Sequence, residues 1–181
     1  MLKNKKLYLI PSVTIVVLLI VFAINYFMLQ RYMNDVLSKD SRNDGIKVWV
    51  HYKWFVNPTE IKYDLRKISG DSSNIDTMRV MLQFAEQLQN QNFKKVYLSY
   101  KGTDKFYFKG DYFQVLGKEY EFQNPIYTLR TMPENVYTLD GDLKYGSWEG
   151  GWLGVMNKQM DDLKDFSEQW YLIDMADEVS D

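Results

Sequence analysis

The chain has 181 residues, a formal net charge of -2, 46% hydrophobic and 16% aromatic residues, which excludes a disordered or low-complexity chain. It has no Cys and one His. That excludes disulfides, Cys-ligated metal sites, thiol nucleophiles and lipidated cysteines, and leaves His51 as the only imidazole for catalysis.

Residues 1–6 are a short tail carrying Lys3, Lys5 and Lys6. Residues 7–29 contain no charged side chain. As a helix this run is about 35 Å long, enough to cross a hydrocarbon core of about 30 Å. Pro11 falls in its first turn, and Tyr8, Tyr26 and Tyr32 lie near its ends, as interfacial aromatics do. Asn25 is read as an interfacial residue rather than as a helix-pairing one. The stretch Asn25 to Gln30 is bulky and lacks the small residues of a cleavage site, so an uncleaved signal anchor is expected. Three lysines precede the run, while Arg31, Lys39 and Arg42 follow it. The bias is modest. It favours a cytoplasmic N-terminus and an extracytoplasmic (periplasmic or extracellular) domain.

Residues 30–45 are polar and read as a linker or a frayed helix extension. Residues 46–172 form the domain, and residues 173–181 an acidic tail that frays. From residue 35 onward the net charge is -6, which argues against a nucleic-acid partner. Residues 46–56 alternate, with Ile46, Val48, Val50, Tyr52, Trp54 and Val56 on one face and Lys47, Trp49, His51, Lys53 and Phe55 on the other. Residues 61–68 alternate again, and Ser69-Gly70-Asp71 is a turn, so an antiparallel hairpin is expected. Met78, Met81, Leu82, Ala85 and Leu88 give a helix over 74–90, started by Ser73 and Asp76 in capping-box fashion. Residues 94–100 and 105–109 form a second hairpin, and 112–121 a short helix. Residues 124–140 read as extended or irregular, and 141–154 as a glycine-rich loop. A last helix over 153–171 follows. The expected fold is α+β: one transmembrane helix, then a mostly antiparallel sheet with about three helices.

No catalytic constellation and no metal or cofactor motif is present. Gly150-Gly151-Trp152-Leu153-Gly154 matches neither phosphate-binding glycine pattern. Glu119 with Glu121, Asp140 with Asp142, and Asp161, Asp162 and Asp165 read as turn or surface carboxylates. The candidate binding residues are Tyr127, Arg130 and Glu134 in the segment between Pro125 and Pro133, Tyr145, Trp148 and Trp152 as an aromatic platform, and His51. Arg130 reads equally as an anion reader or as an ion-pair partner of Glu134, and His51 reads first as a partly exposed strand residue. The functional expectation is a membrane-anchored binding or accessory protein that engages a protein partner, as a subunit of an envelope complex or in an inhibitor or immunity-type role. The competing expectations are a tethered hydrolase using Asp and Glu, and an extracytoplasmic small-ligand domain.

Overall fold

In the computed structural model, residues 3–69 and 72–180 are described, with side chains from Val13 onward except Val179. The turn expected at Ser69-Gly70-Asp71 falls mostly outside these residues, as do the side chains of Tyr8 and Pro11 and the end of the tail at Asp181.

The chain starts with one continuous helical rod. Helix α1 (Lys3–Asn25) passes through a π-helical turn (Tyr26–Gln30) into α2 (Arg31–Lys39). By length and composition the rod can cross a membrane. From Val13 to Ile24 most of its large apolar side chains are exposed. Beyond that it enters the domain, where Leu29, Met33 and Val36 are buried in the core. Residues 30–45 are therefore not a free linker. The reason is packing: the apolar positions continue past the charged Arg31 on one face only.

The π turn sets which face that is. In a regular helix, residues five apart point about 140° apart. The wider turn, with its bonds from i to i+5, brings Asn25 and Gln30 round to the same side. Both side chains meet the outer edge of strand β1 (Lys47–Lys53). Tyr52 N–H donates to Asn25 Oδ1 (2.8 Å) and Val50 N–H to Gln30 Oε1 (2.7 Å), while Gln30 Nε2 donates to the Val48 carbonyl (3.2 Å). Asn25 Nδ2 also donates to the Phe55 and Val21 carbonyls, each at 2.8 Å. An edge strand leaves a row of unpaired backbone groups. Here two amide side chains satisfy them. Asn25, read from sequence as interfacial, is 4% exposed and tied to the sheet edge.

The sheet has five strands in the order β1-β2-β3-β4-β5, with β2 (Asn57–Lys67), β3 (Lys95–Tyr100), β4 (Thr103–Lys109) and β5 (Val136–Tyr137). β1 with β2, β3 with β4 and β4 with β5 are antiparallel, but β2 and β3 run parallel. The sheet is thus mixed rather than mostly antiparallel. Helix α3 (Asn74–Gln87), begun by the Ser73–Asp76 capping box, is the crossover that a parallel pair requires. The β3–β4 turn is Lys101-Gly102, both residues at positive φ, the geometry of a two-residue hairpin.

There are also more helices than expected. They are α4 (Gly110–Glu119), α5 (Pro125–Thr131), α6 (Trp152–Ser167) and, after a second π turn at Glu168–Leu172, α7 (Ile173–Ser180). α5 occupies the segment read as extended. Asn124 caps it and Pro125 takes its first position, where a missing N–H costs nothing. The acidic tail is helical to Ser180, held by ion pairs of Lys105 with Asp174 (2.8 Å) and of Lys101 with Glu178. Gly117 allows α4 to lie against α3, since a Cβ there would sit 2.3 Å from the Ala85 carbonyl oxygen.

All these helices gather on one side of the sheet. Val48, Val50, Ile61, Tyr63, Leu65, Val96, Leu98 and Phe108 face them and are buried with Phe84, Phe113, Phe166 and Trp170. Trp170 Nε1 donates to the Ser99 carbonyl at 3.2 Å, fixing the C-terminal helix to the middle of the sheet.

Candidate functional site

The other side of the sheet is not covered by any described helix. Its side chains meet one another. Lys53, Lys62, Arg66, Lys95 and Lys109 stand on it with Glu60, Asp64 and Asp104, an excess of cations on a domain of net charge -6. Strand pairing places Tyr97 opposite Tyr107 and Tyr107 opposite Tyr137, with ring centroids 5.9 and 5.3 Å apart. The cations lie over these rings: Lys53 3.7 Å from Tyr97, Lys95 4.1 Å from Tyr107, Lys109 4.5 Å from Tyr137, and Arg66 4.9 Å from Trp49. Lys95 and Lys109 are direct cross-strand partners. Like charges in that position repel, and the two tyrosine faces are what offset the repulsion locally.

A cavity of about 460 Å³ opens on this face beside the β1–β2 turn, lined among others by Trp49, His51, Lys62, Asp64, Arg66 and Asp104. Its charges are held in place. Asp104 accepts from Ser99 Oγ (2.6 Å) and pairs with Lys53 and with Lys62 (2.8 Å). Burial alone would raise the Asp104 carboxyl, but the two ammonium groups and the serine outweigh it and hold it below the ordinary carboxylate range. Asp64 is fully buried, accepts from Gly102 N–H (2.9 Å) and pairs with Arg66 (2.7 Å). Asp104 is not arranged as a proton donor or as a free base. The cavity carries three cations, Lys53, Lys62 and Arg66, each paired with one of two carboxylates, beside the faces of Trp49, Trp54 and Phe55.

His51 belongs to this cavity. It is 6% exposed, so the partly exposed reading is corrected. Its ring stacks on Phe55, centroids 4.2 Å apart and planes 7° from parallel. Nδ1 lies 2.8 Å from the Tyr52 carbonyl, so that nitrogen carries the hydrogen. Burial chiefly, with Lys62 and Arg66 adding to it, lowers its pKa below the ordinary imidazole value.

The other candidate residues lie elsewhere, and most of them are engaged by neighbouring side chains. Tyr127, Arg130 and Glu134 come together at α5, but Gln159 stands between the last two. Arg130 donates to Gln159 Oε1, and Gln159 Nε2 donates to Glu134 Oε1 (2.6 Å). Arg130 also stacks 5.0 Å from the Tyr127 ring. It is thus neither a direct partner of Glu134 nor a free anion reader. Tyr145, Trp148 and Trp152 do not form one platform. Tyr145 is buried and donates to Asp165 (2.8 Å), Trp148 donates to Asp162 (2.6 Å), and Trp152 stands 68% exposed at the start of α6. The two hydrogen bonds fasten the glycine-rich loop to α6. Among the described residues no cluster of His, Asp and Glu could hold a metal ion.

Lys62, Asp64, Arg66, Lys95, Asp104 and Lys109 were missed by sequence reasoning. The alternation of residues 61–68 does put Lys62, Asp64 and Arg66 on one face, and that of 46–56 puts Trp49, His51 and Lys53 on one face. Joining them needs the β1–β2 register, and extending them to Lys95 and Lys109 needs the parallel β2–β3 pairing. Comparison with known protein families, curated proteins and solved structures returned no match for this chain.

Proposed function

We propose that the chain is a single-pass membrane protein with a cytoplasmic N-terminus and an extracytoplasmic domain, and that the domain binds an acidic segment of a protein partner on its uncovered sheet face. The observation that carries this reading is that face: five strands wide, rich in cations over aromatic rings, on a domain whose net charge is of the opposite sign. Aromatic and cationic side chains together are the usual energetic centres of protein interfaces. The exposed apolar stretch from Val13 to Ile24 supports the span, since an all-round apolar helix is stable when lipid surrounds it. The role is that of an anchored subunit, accessory factor or inhibitor.

A photo-crosslinking residue placed at Lys109, exposed on the face, tests the interface against one at Ile75, exposed on the helical side. The expected result is a protein adduct from position 109 only, weakened by salt and by Lys95→Glu. Adducts of equal yield from both positions, or none from 109, refute the reading. Topology is read separately. Lys47→Cys gives the chain a single exposed thiol, and labelling of intact cells by an impermeant maleimide is the expected outcome. Labelling only after permeabilisation reverses the orientation.

A further inference from the structure

The turn between β1 and β2 is Trp54-Phe55-Val56, closed by pairing of Lys53 with Asn57. It contains no glycine, yet Trp54 and Phe55 both have positive φ, 55° and 64°. Bulky residues rarely adopt that conformation. The strained backbone aims Phe55 inward onto His51 and leaves Trp54 77% and Val56 67% exposed. Two large apolar side chains at the tip of a polar hairpin need an environment.

The rod supplies the clue to it. Phe22 of α1 touches Phe55, ring centroids 5.6 Å apart, and Asn25 holds the Phe55 carbonyl at 2.8 Å. The tip is therefore fixed at the level of Phe22. Lys6 is the last charged residue before the apolar run, and Phe22 lies 16 residues on, about 24 Å along the helix. A hydrocarbon core of about 30 Å beginning near Lys6 extends beyond Phe22. The turn then lies at the edge of the acyl region, not above it. At that level the rod itself exposes Tyr26, Phe27 and Met28. An exposed tryptophan at this level matches the aromatic belt found at membrane interfaces.

We propose that Trp54 and Val56 insert into the interfacial layer of the bilayer leaflet from which the first helix emerges, giving the domain a second membrane contact. Its occupant is the phospholipid bilayer itself. The inference rests on the reading that the first helix spans the membrane. With the rod locked to β1 by Asn25 and Gln30, two contacts fix the orientation of the domain.

The full chain in phosphatidylcholine nanodiscs tests this by depth-dependent quenching. With no native Cys, Val56→Cys carries a single environment-sensitive fluorophore and keeps Trp54. Lys47→Cys, on the same strand and about 20 Å from the tip, is the distal control. Val16→Cys reports on the span. The expected result is quenching at 56 by lipids with a shallow spin label, at 16 by lipids with a deep one, and none at 47. Adding Trp54→Gly, which suits the left-handed backbone, should abolish quenching at 56 without lowering the melting temperature in detergent. Quenching at 16 but not at 56 overturns the insertion and leaves the span intact. Absence of quenching at both 16 and 56 overturns the span reading and the insertion with it.

Discussion

The first helical rod has two halves that differ in composition and in surroundings. From Val13 to Ile24 its large side chains are mostly about half exposed. From Asn25 to Lys39 a narrower stripe, Leu29, Met33 and Val36, is buried, and two amides hold the edge of β1. The second half has less apolar surface, confined to one stripe, and it brings polar groups that the first half lacks. Lipid accepts an apolar surface in any rotation. A sheet edge accepts only a surface that also brings donors and acceptors at the spacing of its own backbone.

The sharpest way to test that contrast is to shorten one buried and one exposed apolar side chain. Met33→Ala, at a fully buried site, should lower unfolding stability by about 2–5 kcal/mol in detergent. Leu19→Ala, 63% exposed, should stay within about 0.5 kcal/mol by the same denaturation curve. Equal losses would mean that the two halves are not different environments. Next in size is Asn25→Ala, which leaves Tyr52 N–H and the Phe55 carbonyl without their partner. A loss of about 1–3 kcal/mol is expected, with faster hydrogen exchange at Tyr52 as the specific sign. Unchanged exchange at Tyr52 would show that the edge of β1 does not depend on the rod.

The smallest expected effect is on pH dependence. The pKa of His51 is lowered on folding, so as pH falls below about 6.5 the unfolded chain binds a proton that the native one does not. Stability from this residue is full above that pH and declines as pH falls toward the native value. Melting temperatures of His51→Gln should lack this part of the acid slope. An unaltered slope would place the proton uptake elsewhere.

Much of the architecture was legible because it repeats locally. The alternation of Ile46 to Tyr52, the Ser73 capping box and the helical spacing from Met78 to Leu88 each depend on near neighbours, and each is present in the fold. Trp54 and Val56 continued the strand alternation and were misread as strand, because the turn has no glycine or asparagine to mark it. Asn124-Pro125 did carry a helix-start signal, outweighed by the presence of a second proline. The acidic tail read as frayed because its partners, Lys101 and Lys105, lie some seventy residues earlier in the chain.

By itself the sequence determined that a long apolar helix precedes an α+β domain, and which side of each strand is polar. Those properties follow from periods of 2 and 3.6 residues along the chain. Only the tertiary structure decided that Asn25 and Gln30 meet β1, that Arg130 meets Gln159, and that the polar sides of five strands join into one uncovered face. Such contacts depend on pairing register and on one π turn, where a shift of a single residue would turn every side chain away from its partner.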